Sequence, residues 1–209
     1  MKSIKFLSVL FTVALVLSSC KQEKKEGETK ADETVENAIK YVVKPEATTV
    51  KWTAYKTTDK VPVGGEFATL NFENKEGATP QEALNNLEFS IPVSSLFTKD
   101  EVRDEKLKTS FFGAMLNPEF LKGKIIYADS TYSAEITMNG VTKNLPLEVN
   151  TTDERRVNMT GTMNLNDWDA LGALESLNKV CFDLHKGADG VSKTWEDVAI
   201  EVNTYLREK

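Results

Sequence analysis

The sequence predicts an all-β protein, a single antiparallel β-barrel of about eight strands with one or two short helices. Three observations lead to this fold class. Apolar and polar residues alternate with a period of two along most of the chain after Tyr41, every alternating segment has one apolar and one polar face, and Asn139-Gly140 joins two of these segments. Such two-faced strands are typical of antiparallel sheets, and Asn-Gly is a strong signal for a two-residue hairpin.

The strand-like segments follow one another at short intervals. In chain order the alternating segments are 50–55, 68–72, 87–93, 132–138, 144–149, 157–165 and 198–203, and a less regular one covers 124–128. The pair Gly64-Gly65 is a turn signal between the first two. About eight such strands can bury their apolar faces by closing on themselves or by packing as two sheets.

Two helices interrupt the strands. Residues 98–101 (Thr-Lys-Asp-Glu) form a capping-box pattern, with Phe97 and Val102 spaced as a hydrophobic staple. The helix that follows would turn Val102, Leu107 and Phe111 towards the sheet and end at Asn117-Pro118. A weaker helical pattern over 171–178 lies between two strands and would close one end of a barrel.

The N-terminus has the three parts of a secretory signal peptide. Lys2 and Lys5 form a basic start, residues 6–17 are almost wholly apolar, and Ser18-Ser19 precede Cys20. The apolar run is shorter than the roughly 20 residues of a membrane-spanning helix. The sequence therefore predicts that residues 1–19 are an export signal that is removed.

The end of this leader, Leu17-Ser18-Ser19-Cys20, resembles the bacterial lipobox. That resemblance implies cleavage before Cys20 and lipidation of its thiol, hence a lipoprotein anchored in the cell envelope. Lys21 stands where an Asp would signal retention in the inner membrane, which favours the outer membrane. The alternative is a cysteine that merely follows an ordinary signal peptide.

The segment from Cys20 to residue 40 is rich in Lys and Glu and has no aromatic residue. It cannot bury enough apolar surface to offset the entropy of ordering, so we expect residues 20–40 to be a flexible tether and residues 41–209 to be the domain. Removing residues 1–19 takes away two lysines and no acid, which moves the formal charge from −6 to −8. This balance argues against a nucleic-acid partner.

The sequence offers little for catalysis or metal binding. His185 is the only histidine, there is no G-x-S-x-G element, and no pair of carboxylates stands out. We therefore expect no enzyme activity, no metal and no cofactor. Cys181 is the one thiol left once Cys20 is lipidated, and we expect it to be buried and inert.

Several segments together identify a family. Residues 50–55 (VKWTAY), 64–67 (GGEF), 102–107 (VRDEKL) with Phe111-Phe112, and 139–143 (NGVTK) resemble the YceI-like lipid/polyisoprenoid-binding family over about residues 41–202. The resemblance implies a lipocalin-like antiparallel barrel that holds a long isoprenoid chain, an apolar lipid, in its interior. The oligomeric state stays open.

The inner face supplies the candidate ligand contacts. The apolar positions expected to line the interior are Trp52, Leu70, Phe72, Phe89, Ile91, Tyr132, Ile136, Met138, Met159, Met163 and Ile200. The alternative is that these side chains pack against one another, which would make a solid barrel that serves as a structural or protein-interaction module.

A few other residues have two open roles. Arg103 is suited to a bidentate contact with a phosphate head group, or it holds the helix in place together with Asp104. Trp168 and Trp195 lie near predicted strand ends, where they would either line a barrel mouth or cap a core.

Overall fold

The computed structural model describes residues 39–209. The predicted signal peptide, the lipidation site Cys20 and nearly all of the predicted tether lie outside these residues. The strands, in chain order, are β1 (Tyr41–Val42), β2 (Thr48–Lys56), β3 (Val61–Phe67), β4 (Asn71–Phe72), β5 (Glu76–Gly77), β6 (Glu88–Pro92), β7 (Leu96–Phe97), β8 (Phe120–Ala128), β9 (Thr131–Met138), β10 (Val141–Thr152), β11 (Arg156–Asn164), β12 (Asp197–Tyr205) and β13 (Arg207–Glu208). The α-helices are α1 (Pro80–Leu84), α2 (Glu101–Lys106) and α3 (Leu171–Val180).

The main sheet is entirely antiparallel, with the strand order β4-β6-β8-β9-β10-β11-β12-β2-β3-β7. The two ends of this sheet meet and close it. Strand β4 directly follows β3 along the chain and β7 directly follows β6, so that the pairs β3–β7 and β4–β6 lie side by side along the same seam. Phe67 pairs with Leu96 and Phe72 pairs with Phe89, while the amide of Ala68 donates to the Ser95 carbonyl at 2.9 Å between them. The ten strands thus form eight runs around a closed barrel, which confirms the predicted all-β, lipocalin-like fold.

One end of the barrel is sealed by a small sheet. Strands β13, β1 and β5 pair antiparallel beside α1, at the end where β2 begins and β12 finishes. Val43, Leu84, Leu87 and Leu206 pack there with almost no accessible surface. We call this the closed end.

The opposite end carries the other helices, and we call it the helical end. There α2 continues into a π-helical turn (Leu107–Phe111) and a 3₁₀ turn (Phe112–Ala114), while a 3₁₀ turn (Leu165–Trp168) leads from β11 into α3. Both turns after α2 contact α3, so the two helical segments close over the barrel together. The prediction of a helix near 171–178 that closes one end is confirmed.

The predicted start of α2 is wrong by two residues. Asp100, not Thr98, is the N-cap, and its carboxylate accepts from the Arg103 amide at 3.0 Å. Val102 is 67% exposed, so the predicted staple with Phe97 does not form and Val102 does not face the sheet. The cause is Asp104, a buried carboxylate that accepts from both the amide and the hydroxyl of Thr98 and takes Thr98 away from the cap.

Two further local predictions need correction. Gly64-Gly65 is not a turn but lies inside β3, opposite Thr53 and Trp52. A third α-helix, α1, was not predicted, although Thr79 caps it by accepting from the Glu82 amide at 3.2 Å and Pro80 occupies its first turn. The Asn139-Gly140 hairpin is confirmed, with φ of 52° and 74° and Met138 paired with Val141. No helix among residues 39–209 is long and apolar enough to cross a membrane.

Candidate functional site: the barrel interior

The barrel encloses a cavity of about 200 Å³ that extends from the closed end to the helical end. A single buried water needs only about 10–15 Å³ by the same kind of measure, so this space is much larger than a packing defect. Every strand that encircles the barrel contributes lining residues, and none of them is charged. The interior is therefore hollow and uncharged.

The few polar groups in the wall are mostly engaged with protein partners. The hydroxyls of Thr48 and Thr204 lie 2.7 Å apart, and Thr48 also donates to the Lys44 carbonyl at 2.8 Å. The indole N–H of Trp195 donates to the Thr57 carbonyl at 2.8 Å. The indole N–H of Trp52 is enclosed and has no partner among the described residues. The wall thus favours a ligand that has few or no hydrogen-bonding groups.

The middle of the cavity wall is incompletely packed. Phe89, Leu121, Ile136 and Val198 line the cavity yet are only half-buried, whereas the side chains that plug the closed end are fully buried. A close-packed core would hide such side chains almost completely. The interior therefore presents apolar surface that a ligand can cover.

Two glycines shape this wall. Gly65 pairs with Trp52, and a Cβ on Gly65 would lie 2.5 Å from the Trp52 ring. Gly123 pairs with Phe89, and its Cβ would lie 2.6 Å from that ring. Each ring therefore lies over a backbone without a side chain, along the wall rather than across the lumen.

A family model for the YceI-like domain matches residues 41–206. The chain belongs to the YceI-like domain family. Solved structures agree with this assignment at the level of fold. A polyisoprenoid binding domain from Saccharophagus degradans, implicated in plant cell wall breakdown, is 12% identical over 82% of this chain and 99% of that chain, with a TM-score of 0.59. BcnA from Burkholderia cenocepacia is 15% identical over 78% of this chain and 98% of that chain, with a TM-score of 0.50. No curated protein sequence matches the chain significantly.

Most of the predicted interior residues lie at the cavity of this YceI-like domain. Those that line it are Trp52, Phe72, Phe89, Ile91, Ile136, Met138, Met159, Met163 and Ile200. Leu70 and Tyr132 do not line it. Leu70 is buried in the core just before β4, and the Tyr132 ring packs against Tyr127 at 4.7 Å near the end of the β8–β9 hairpin.

The sequence did not show how much of the cavity wall comes from the helical end. Leu107, Phe111 and Phe112 line the cavity from the turns after α2, and Leu174 and Leu177 line it from α3. Leu174 and Leu177 are three residues apart on one face of the helix, a spacing that could have marked them as core residues. Their place above the lumen depends on how the helices dock.

Arg103 is not placed at the cavity. Its guanidinium pairs with Asp100 at 3.4 Å, it is partly exposed, and it does not line the barrel cavity. Asp104 is buried and anchors the segment before α2 through Thr98. The structure therefore favours the second of the two predicted roles, holding the helix in place.

The two tryptophans near the strand ends have different roles. Trp168 is 1% exposed, donates its indole N–H to the Ile136 carbonyl at 3.0 Å and caps the core. Trp195 lines the cavity at the helical end, where it is half-buried.

A polar cluster borders the cavity beside Trp195. Nδ1 of His185 lies 2.7 Å from the Thr194 hydroxyl, and this hydroxyl donates to the Asn178 side-chain oxygen at 2.8 Å. Burial lowers the pKa of His185, and the charges of Lys56 and Lys106 lower it further. The imidazole is therefore neutral near pH 7.

Cys181 lies close to this cluster and is buried, as predicted. Burial raises the pKa of its thiol, which keeps it protonated and unreactive. Within residues 39–209 no group of three or more His, Cys, Asp and Glu side chains is arranged to hold a metal ion.

A second concavity of about 830 Å³ lies across the outer face of β10, β11, β12, β2 and β3. Its outward side chains include Lys51, Glu66 and Glu201, with threonines between them. This charged groove does not suit an apolar chain, so the interior is the candidate site.

Proposed function

We propose that this protein binds an apolar lipid of the polyisoprenoid class inside its barrel, without catalysing a reaction on it. The observation that carries the proposal is the uncharged cavity with surplus apolar wall. Covering apolar surface contributes roughly 25 cal/mol per Å², from which the cost of ordering the ligand is subtracted. The Saccharophagus degradans neighbour is a polyisoprenoid binding domain, and the shared fold supports the same ligand class here.

The proposal includes an anchor. Lipidation of Cys20, supported by the sequence of residues 17–20, would hold the domain on the cell envelope of a bacterium, at the outer membrane given Lys21. The alternative function, a structural or protein-interaction module built on a solid barrel, conflicts with a cavity of about 200 Å³.

The ligand site is tested by filling the lumen. Ala54 on β2 lines the cavity, while its neighbour Thr53 faces the outer groove. We expect Ala54→Phe to weaken binding of a fluorescent polyprenol by about tenfold or more, because the new ring occupies ligand space. Thr53→Phe places the same ring on the outer face of the same strand and should bind like the wild type.

The measurement is a fluorescence titration of the full chain in detergent, with mass spectrometry of lipids extracted from natively purified protein. If the wild type neither carries nor takes up a prenyl lipid, the proposed function is wrong. If Ala54→Phe binds as tightly as Thr53→Phe, the lipid binds elsewhere.

The anchor is tested by Cys20→Ser in the full chain. We expect this variant to lose incorporation of a clickable fatty acid and to leave the membrane fraction, because the acylated thiol is gone. Cys181→Ser is the matched control and should still be labelled. Equal labelling of wild type and Cys20→Ser would contradict the anchor.

A further inference from the structure

Exposed apolar side chains are unevenly distributed over the described residues. All of the large ones except Ile39 and Phe97 lie at the helical end, on α2 and α3, in the adjoining turns or at the strand ends there. Val180, Phe182, Leu184 and Val191 form the densest group, which we call the apolar rim. Single exposed apolar residues are ordinary, but their concentration at one end marks an interaction surface.

The apolar rim adjoins the cavity. Val180 is the last residue of α3, whose Leu174 and Leu177 line the lumen, and Val191 precedes Thr194 and Trp195 in the opposite wall. Leu107, Leu174, Thr194 and Trp195 are only half-buried, whereas the side chains at the closed end are fully buried. A lipid that enters the cavity therefore has its shortest apolar route through the helical end.

Lysines accompany the rim. Lys56 donates to the Leu184 carbonyl at 3.2 Å, and Nζ of Lys193 lies 4.2 Å from the centre of the Trp195 ring. Lys56, Lys106 and Lys193 form no salt bridge with any carboxylate of residues 39–209. Among the nearby acids, Glu175 pairs with Lys179, Asp183 pairs with Lys186, and Asp189 accepts from the Thr58 hydroxyl. Three other exposed acids form no salt bridge within residues 39–209, namely Asp59, Glu105 and Glu196.

Apolar side chains with lysine ammonium groups beside them match the boundary between the acyl chains and the head groups of a bilayer. The apolar groups enter the acyl region and the cations stay among the head groups. A soluble protein partner would not explain why the rim adjoins an apolar cavity, whereas a membrane is where an apolar ligand is stored.

We propose that the helical end docks on a lipid bilayer with the apolar rim inserted, so that the ligand passes between membrane and cavity without crossing water. The purpose of this docking rests on the proposed function, but the docking itself can be measured without a ligand.

The test uses the full-length lipoprotein, reconstituted in vesicles of phosphatidylethanolamine and phosphatidylglycerol that contain brominated lipids. An environment-sensitive fluorophore is attached through Leu184→Cys or, as the matched control, through Ile39→Cys. The two native side chains are 59% and 56% exposed, but they lie at opposite ends of the domain. We expect strong quenching by bromine at position 184 and little at position 39.

A second measurement follows transfer of a fluorescent polyprenol between vesicles. Phe182→Ser with Leu184→Ser should slow the transfer by about tenfold, and Ile39→Ser should leave it unchanged. Equal and weak quenching at both positions would overturn the docking proposal. So would a dimer that the double substitution dissociates, because the rim would then join two copies. Quenching at position 184 in a protein that binds no prenyl lipid would keep the docking and reject the proposed function.

Discussion

At the scale of single residues, the lumen depends on small side chains as much as on apolar ones. Trp52 and Phe89 are the large aromatic residues of two neighbouring wall regions, and each lies over a glycine on the adjacent strand. A side chain at Gly65 or Gly123 would push the ring towards the lumen. Nine of the eleven residues predicted to face inward line the cavity, but that list did not include Gly65 and Gly123, which make room for the two rings.

The glycine contact leads to a matched pair of substitutions. Gly123→Ala should lower the free energy of unfolding by about 1–3 kcal/mol, because the new Cβ meets the Glu135 backbone as well as the Phe89 ring. Gly172→Ala has no heavy atom within 4 Å of its Cβ and should be neutral or stabilising by up to about 1 kcal/mol. Urea unfolding of both variants measures this. A Gly123→Ala variant as stable as Gly172→Ala would show that the strands are further apart.

At the scale of elements, α3 and the turns that follow α2 close one end of the barrel and form part of the cavity wall. The capping-box pattern located α2 but misplaced its first residue, since the Asp104 carboxylate accepts from the Thr98 amide and hydroxyl and leaves Asp100 as the cap. The pattern in α3 was correct in type and in its first residue, and it ended two residues before the helix does. Its consequence, that Leu177 reaches the cavity, follows from docking over the barrel and has no local signal.

The closing role of α3 is open to measurement. Leu177→Ala should lower the free energy of unfolding by about 2–3 kcal/mol, the lower part of the usual range, since the side chain already borders empty space. Leu184→Ala removes an exposed leucine and should change it by less than about 0.5 kcal/mol. Thermal or denaturant unfolding checks both. Equal effects would mean that α3 does not pack on the barrel as described.

At the scale of the molecule, the closed barrel leaves a space that its own side chains do not fill. A ligand that binds the folded state alone stabilises it by mass action. A barrel with a solid core would not be stabilised by an apolar ligand. The free energy of unfolding with and without ligand therefore distinguishes a hollow barrel from a solid one, without showing where the ligand binds.

We therefore expect a polyprenol at one hundred times its dissociation constant to raise the free energy of unfolding by about 2.7 kcal/mol. The melting temperature should rise with ligand concentration in wild type and in Thr53→Phe. It should rise much less in Ala54→Phe. If the melting temperature of the wild type does not change at saturating ligand, the proposal of a binding site in the cavity is wrong.

From the sequence alone it was possible to determine where most of the long strands lie, although not β3, which side of each predicted strand is apolar, that Asn139-Gly140 turns a hairpin, and that the chain resembles the YceI-like family. These follow from period-two patterning and local turn chemistry, which act within a few residues. Only the tertiary structure decided that the barrel is hollow, that Arg103 turns away from it and that the exposed apolar residues gather at one end. Alternation states which way a side chain points but not how much volume it must fill, and that volume depends on contacts between residues far apart in the chain.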